Sequence, residues 1–308
     1  MKLLLNKNII LFVIIGLLFL QQCDEIHIAE NKSLDNYENL TDTINCQFNS
    51  IHSAYSSCLT ELSDTTLDVV TWNLKFFPIN GNATLGLLED IIPNMNADII
   101  AIQEINNISD FNLLLKNLNG WQGEVINVNG SLDLGYIYKE CEIEVLENSS
   151  IVLSESVEPR PAVRIKIRHK STGLEITLFN IHLKCCGVTG SDDANRREAA
   201  SKTLQSYINN NLSNENIIVL GDWNDDIHDG PFENFLNDTN FTFADEEIAN
   251  GSSNNWSYPS WPSHLDHILI SKGLFDNFLE TKTIKLDSCI NNVESNISDH
   301  RAVMTRFE

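Results

Sequence analysis

The residues able to do chemistry in this chain are acids, imidazoles and carboxamides, and they fall at the ends of short apolar runs. Trp72-Asn73 ends the first run and Gln103-Glu104 the second. Asn180 and His182 stand near the end of a long middle one, and Asp222 and Asn224 follow the next. Asp266 and His267 lie within a late apolar strand, and Asp299-His300 precede the last. Such residue types serve acid–base catalysis and the binding of hard cations. Deposited repeatedly at strand ends, they are what an active site between sheet edges requires. Zinc fits poorly. No Cys-x-x-Cys pair is present, and in a strand His264 and Asp266 share a face while His267 points away, so at most one imidazole accompanies Asp266. Cys185-Cys186, just after His182, read as a vicinal disulfide shaping the loop rather than as a catalytic thiol. Arg196-Arg197 read as a solvated helix face. Trp256, Tyr258 and Trp261 form an aromatic loop around Pro259 and Pro262. That loop suits either stacking on a base or lipid, or rigid packing.

The elements that must position these residues are read from hydrophobic spacing. Strands are predicted over 67–74, 97–105, 136–139, 162–168, 175–183, 216–220, 265–270 and 301–307. Helices are predicted over 85–95, 108–118 and 192–210, the last opened by Ser191 as its N-cap. Strands and helices alternate through the span 65–308, which suggests one α/β catalytic domain.

Ahead of that domain, Lys2 and Lys7 give a basic start, and Ile9 to Leu20 form an apolar run broken only by Gly16. The run is short for a bilayer span and suits a signal peptide over 1–22. Cys23 directly follows Gln21-Gln22 and resembles a lipoprotein processing site; lipidated there, the chain would be attached to a membrane. Residues 23–64 are polar and read as a tail or spacer. Of seven cysteines, six remain after Cys23, an even number that an oxidising compartment favours. Cys46 and Cys58 could close a small loop in the tail. The expected location is therefore outside the cytoplasm, secreted or anchored to the cell envelope.

The chain has 308 residues, 42% of them hydrophobic and 20% charged, as a globular protein with a real core requires. Its formal net charge is −23, from 43 acidic and 20 basic side chains. Such a surface repels polyanions at long range and argues against a non-specific nucleic-acid clamp. It does not exclude a phosphate substrate, because a bound divalent cation reverses the local field.

Seven segments appear in the order of a known superfamily: Trp72-Asn73-Leu74, Gln103-Glu104, Arg160-Pro161, Asn180-Ile181-His182-Leu183, Gly221-Asp222-Trp223-Asn224-Asp225, Leu265-Asp266-His267 and Ser298-Asp299-His300. The chain resembles the endonuclease/exonuclease/phosphatase superfamily (deoxyribonuclease I-like), which includes abasic-site endonucleases, bacterial sphingomyelinases and inositol-phosphate phosphatases. The resemblance implies a four-layer α/β/β/α sandwich of two mixed sheets. It implies Mg²⁺, or Mn²⁺ or Ca²⁺, held by Glu104 with Asn73 and Asp299 as further ligands. It also implies that Asp266 orients His300, that Asp222 and Asn224 face the phosphate, and that His182 binds a phosphate oxygen or protonates the leaving group. Whether His300 or Asp222 takes the proton of water stays open. Arg160 would clamp phosphate with its fork. The activity implied is phosphodiester hydrolysis with nucleic acid as the expected substrate, and no obligate protein partner is implied. A lipid or small phosphate ester is the alternative substrate, and a non-catalytic surface binding protein on the same scaffold is a third reading.

Overall fold

The computed structural model describes residues 52–59, 65–127, 132–151, 160–185 and 192–308. The expected signal peptide, Cys23, Cys46, Cys186 and Ser191 lie outside the described residues. The described residues all belong to one compact unit, Ile44–Glu308.

In chain order the elements are β1 (Leu67–Phe77), α1 (Asn82–Met95), β2 (Ile99–Ile105), α2 (Ile108–Asn117), β3 (Trp121–Ile126), β4 (Asp133–Lys139), β5 (Ile143–Ile151), β6 (Ala162–His169), β7 (Glu175–His182), α3 (Asp193–Asn211), β8 (Ile217–Asp222), β9 (Phe241–Phe243), β10 (Asp266–Ser271), β11 (Phe278–Ile284) and β12 (Ala302–Phe307). Short helices and 3-10 turns fill the later loops. The strands form two six-stranded mixed sheets, ordered β11-β12-β1-β2-β4-β3 and β5-β6-β7-β8-β10-β9.

Strands that read as continuous apolar runs are the central ones, buried on both faces. β8 and β10 are buried at every position, and β1 over its first eight. One face of each sheet meets the other sheet: Val69, Ile99, Ala101 and Tyr136 of the first join Ile165, Leu178, Leu220 and Ile268 of the second in a single cluster. The outer face of the first sheet is covered by α1 and α2 through Leu88, Ile91, Ile92, Phe111 and Leu114. α3 covers the second sheet through Ala200, Leu204 and Ile208. The result is the expected helix–sheet–sheet–helix sandwich.

The edge strands β3, β5, β9 and β11 are absent from the sequence reading. β5 and β11 are partly exposed along their length with one buried position each, and neither shows the apolar alternation that reveals a strand with one buried face. Asp192, not Ser191, occupies the N-cap position of α3. Residues 52–59, read as the end of a polar spacer, dock on the domain. Tyr55 and Leu59 are buried in the cluster under α1, and the Tyr55 hydroxyl donates to Asp90. Cys58 is bonded to Cys289 across 231 residues of chain, not to Cys46. Two cysteines close in sequence make a small loop easy to infer, whereas the docking of this segment brings Cys58 to the far end of the chain.

Candidate active site

Register puts the chemical residues in a row. β7 pairs with β8 in parallel with His182 opposite Asp222, and β8 pairs with β10 in antiparallel with Asp222 opposite Asp266. Three strands of one sheet therefore present an imidazole and two carboxylates side by side. Gly221 makes the close approach of β7 and β8 possible. It has φ of 148°, and a Cβ there would lie 1.9 Å from the Ile181 carbonyl oxygen. In the other sheet β1 and β2 are parallel, with Asn73 opposite Gln103. Glu104 follows at φ of 63° and Asn224 at 58°, left-handed conformations that non-glycine residues rarely adopt and that turn side chains out of the strand direction.

Hydrogen bonds join the two sheets at this end. Asn73 Nδ2 donates to Glu104 Oε1 at 3.1 Å and across to Asp222 Oδ2 at 2.9 Å. Below them Gln103 Nε2 donates to Asn180 Oδ1 at 2.8 Å, and Asn180 Nδ2 donates to the carbonyls of Ile102 and Gly135. Gln103 and Asn180 thus tie the floor of the site together. His300, from the approach to β12, places Nδ1 2.7 Å from Asp266 Oδ2. Its backbone N–H donates to Ser298 Oγ, whose hydroxyl donates to the Asn73 carbonyl at 2.6 Å. Ligand atoms of Asp222, Asp266 and His300 all lie within 4.8 Å of one another. Glu104, joined to Asp222 through Asn73, and His300 thus lie at the same end of the sandwich.

Burial sets the charge states. It would lower the His300 imidazole, but Asp266, Asp222 and Asp299 outweigh it and carry the group up to about 10. Burial pushes the Asp222 carboxyl up to about 7, with Asp266 and Glu104 adding to it against His300 and the Asn73 amide. For His182 burial acts downward, helped by Arg160, His300 and Lys184, and holds it well below the usual imidazole range. Its Nε2 lies 3.5 Å from Asp222 Oδ2 and 3.8 Å from Glu104 Oε1. Those are the contacts of a neutral ring, not ion pairs. Two buried polar atoms here have no hydrogen-bond partner, His182 Nδ1 and Asp266 Oδ1.

The sequence pattern of the Endonuclease/Exonuclease/phosphatase family matches residues 70–300. The chain belongs to that family. Its members are phosphoric-ester hydrolases and typically use divalent metals. No curated protein matches the chain. Solved structures share the fold at low identity. The human Nocturnin catalytic domain is 19% identical over 81% of this chain and 96% of its own, with TM-score 0.63. The D. rerio TDP2 structure with a single-strand DNA product is 14% identical over 80% and 100%, with TM-score 0.64. A Bacteroides thetaiotaomicron mannosyl-6-phosphatase is 18% identical over 78% and 98%, with TM-score 0.59.

For the divalent ion that the family implies, Glu104 supplies an oxygen donor set. Among the described residues its carboxylate meets only neutral donors, Asn73 Nδ2 and the Phe76 N–H at 2.9 Å, and the His182 imidazole is held in its neutral form by burial. Hard-cation chemistry fits that set. Asn73 Oδ1 accepts from the Lys75 N–H at 2.9 Å, so a ligand bond from Asn73 would use the second lone pair. Asp299 is paired with Lys75 Nζ at 2.5 Å. Sequence reasoning passed over Lys75; its only signal was a lysine set in the apolar end of a strand.

Some of the other side chains take different places from those expected. Asn224 Nδ2 donates to the Leu183 carbonyl at 2.9 Å. Arg160 Nη1 donates to the carbonyls of His182 and Leu183 and braces the end of β7. Arg197 is buried, not solvated. Its Nε and Nη2 bind Asp225 Oδ2 at 3.0 and 2.6 Å, and Nη1 binds the Lys184 carbonyl. Neither His264 nor His267 accompanies Asp266. β10 begins at Asp266, so strand alternation does not govern His264, and both rings turn to Asp245 instead. Cys185 is disulfide-bonded. Within the aromatic loop, the Tyr258 ring lies against His300 with centroids 4.9 Å apart, while Trp261 is 78% exposed. The loop therefore packs at its base and is open at its tip.

Proposed function

We propose that this protein is an exported, divalent-metal-dependent phosphodiesterase whose substrate is nucleic acid. One observation carries the reading: Asn73, Glu104, His182, Asp222, Asn224, Asp266 and His300, from six separate stretches of chain, meet at one end of the sandwich. Family membership supports the reaction class. Export is supported by the amino-terminal sequence and by disulfide bonding at Cys58, Cys141, Cys185 and Cys289.

Glu104 and Asn73 would hold Mg²⁺, Mn²⁺ or Ca²⁺, which when bound neutralises charge on a phosphoryl oxygen. The remaining work falls to this chain's own groups. Asp266 keeps His300 protonated and fixes its ring, so His300 presents a cationic donor to a phosphate oxygen. Asp222, oriented by Asn73 Nδ2 and the Asn224 N–H, accepts the proton of the attacking water, its pKa near neutrality suiting a general base. Neutral His182 and the second Asn224 proton complete the set of donors around phosphorus.

The test is hydrolysis of plasmid DNA, RNA and bis-nitrophenyl phosphate by residues 24–308 with each cation and with chelator. Cation-dependent cleavage that chelator abolishes is expected; no cleavage of any of the three would defeat the reading. A second reading, a lipid or small phosphate ester, is favoured by the exposed Trp261 beside the site and by the acidic net charge. Greater turnover on sphingomyelin liposomes than on plasmid would select it.

A further inference from the structure

We propose that Lys75 holds the place of a second cation at Asp299, so that the site takes one divalent ion, at Glu104. The inference rests on the metal-dependent reading and deepens it.

The turn that leaves β1 treats two carboxylates differently. The Asp299 side chain is only 11% exposed, and Lys75 Nζ lies 2.5 Å from its Oδ2. The lysine is rooted: its N–H donates to Asn73 Oδ1, and its backbone has φ of 32°. The next residue, Phe76 at φ of 49°, aims its N–H at Glu104 Oε2. Residues 73–76 thus deliver an ammonium to Asp299 and neutral amides to Glu104.

A divalent cation bonds carboxylate oxygen at about 2.0–2.6 Å, so the ammonium fills the space an ion at Asp299 would need. Repulsion from the ammonium would cancel a large part of what the carboxylate offers an ion there. Among the described residues no lysine or arginine is paired with Glu104, so nothing competes there for an ion. In the Asp222, Asp266 and His300 group the only buried atom without a partner is Asp266 Oδ1, a single ligand atom beside a cationic imidazole. His300 Nδ1 occupies Asp266 Oδ2, and the Asp222 oxygens accept from Asn73 and Asn224.

The test is the number of Mn²⁺ ions bound per chain, from electron paramagnetic resonance of free Mn²⁺ and from calorimetry, on the disulfide-bonded protein. The wild type is expected to take one. Asp299→Asn should still take one, with Kd changed by less than about threefold, a small energy by affinity arithmetic. Glu104→Gln should lose it. Lys75→Met should take two by uncovering Asp299, the double variant Lys75→Met/Asp299→Asn should return to one, and Lys75→Arg, which keeps the charge, should stay at one. Two ions in the wild type, loss of the ion in Asp299→Asn, or a single ion in Lys75→Met overturns the inference. No ion in the wild type sinks the metal-dependent reading with it, whereas two ions with intact turnover sinks the inference alone.

Discussion

Two His/Asp assemblies sit within a few residues of each other in sequence and have opposite characters. In the interior one, Asp245 Oδ2 takes His267 Nδ1 at 2.6 Å and His264 Nε2 at 3.0 Å, and Asp245 Oδ1 accepts the Ile268 N–H. The outer ring nitrogens are used as well. His264 Nδ1 accepts from the Ser257 N–H, and His267 Nε2 donates to the Asp225 carbonyl at 2.9 Å. All three side chains are fully buried. At the rim, the same residue types leave Asp266 Oδ1 and His182 Nδ1 without partners, although both are buried. A satisfied buried network rigidifies a fold; an unsatisfied one marks where a ligand belongs. Proximity of Asp and His is no signature of chemistry until the hydrogen bonds are counted.

This contrast breaks most clearly at His300. His300→Ala should lower kcat/KM by about 10²–10⁴-fold, as loss of a positioned acid–base group does. It should lower the thermal midpoint by less than Asp245→Ala does, because the rim pair is not a fully bonded network; an equal or larger fall would make His300 structural. Asp245→Ala should do the reverse, costing about 3–5 kcal/mol of stability by stranding a buried charged imidazole. A urea midpoint equal to wild type would refute that assignment. The smallest effect is on pH dependence. Burial works against both charges of the interior pair. Even so, Asp245 holds the His267 imidazole above its ordinary value of 6.5, and the two imidazoles hold the Asp245 carboxyl below 3.8. The stabilisation from His267 is complete below pH 6.5 and is lost as pH rises through its raised native value. That from Asp245 is complete above pH 3.8 and is lost as pH falls through its lowered one. Urea midpoints should therefore decline on the alkaline side, and His267→Gln should reduce that decline. An unaltered slope in the variant would show that the pair does not govern it.

Much of the site was legible because its residues end apolar runs. The runs around Val69, Ile100, Leu178 and Val219 are central strands, and a polar residue where such a run stops must leave the sheet at its rim. Lys75 and Arg197 were not legible. A lysine in an apolar strand end and one arginine of a helical pair carry no periodic signal, and their partners Asp299 and Asp225 are distant in sequence. His264 misled for the related reason that strand alternation applies only inside a strand, whereas His267, inside β10, does point away from Asp266.

The order of apolar runs and their polar endings determined a single α/β domain and the inventory of the site, since hydrophobic period and residue type are local properties; the four-layer sandwich was implied by the family resemblance. Which histidines work and which merely hold, and which carboxylate meets an ammonium, was decided by tertiary structure alone. Those outcomes depend on register between strands and on left-handed turns at Lys75, Glu104 and Asn224, where a few ångströms separate a satisfied group from a waiting one.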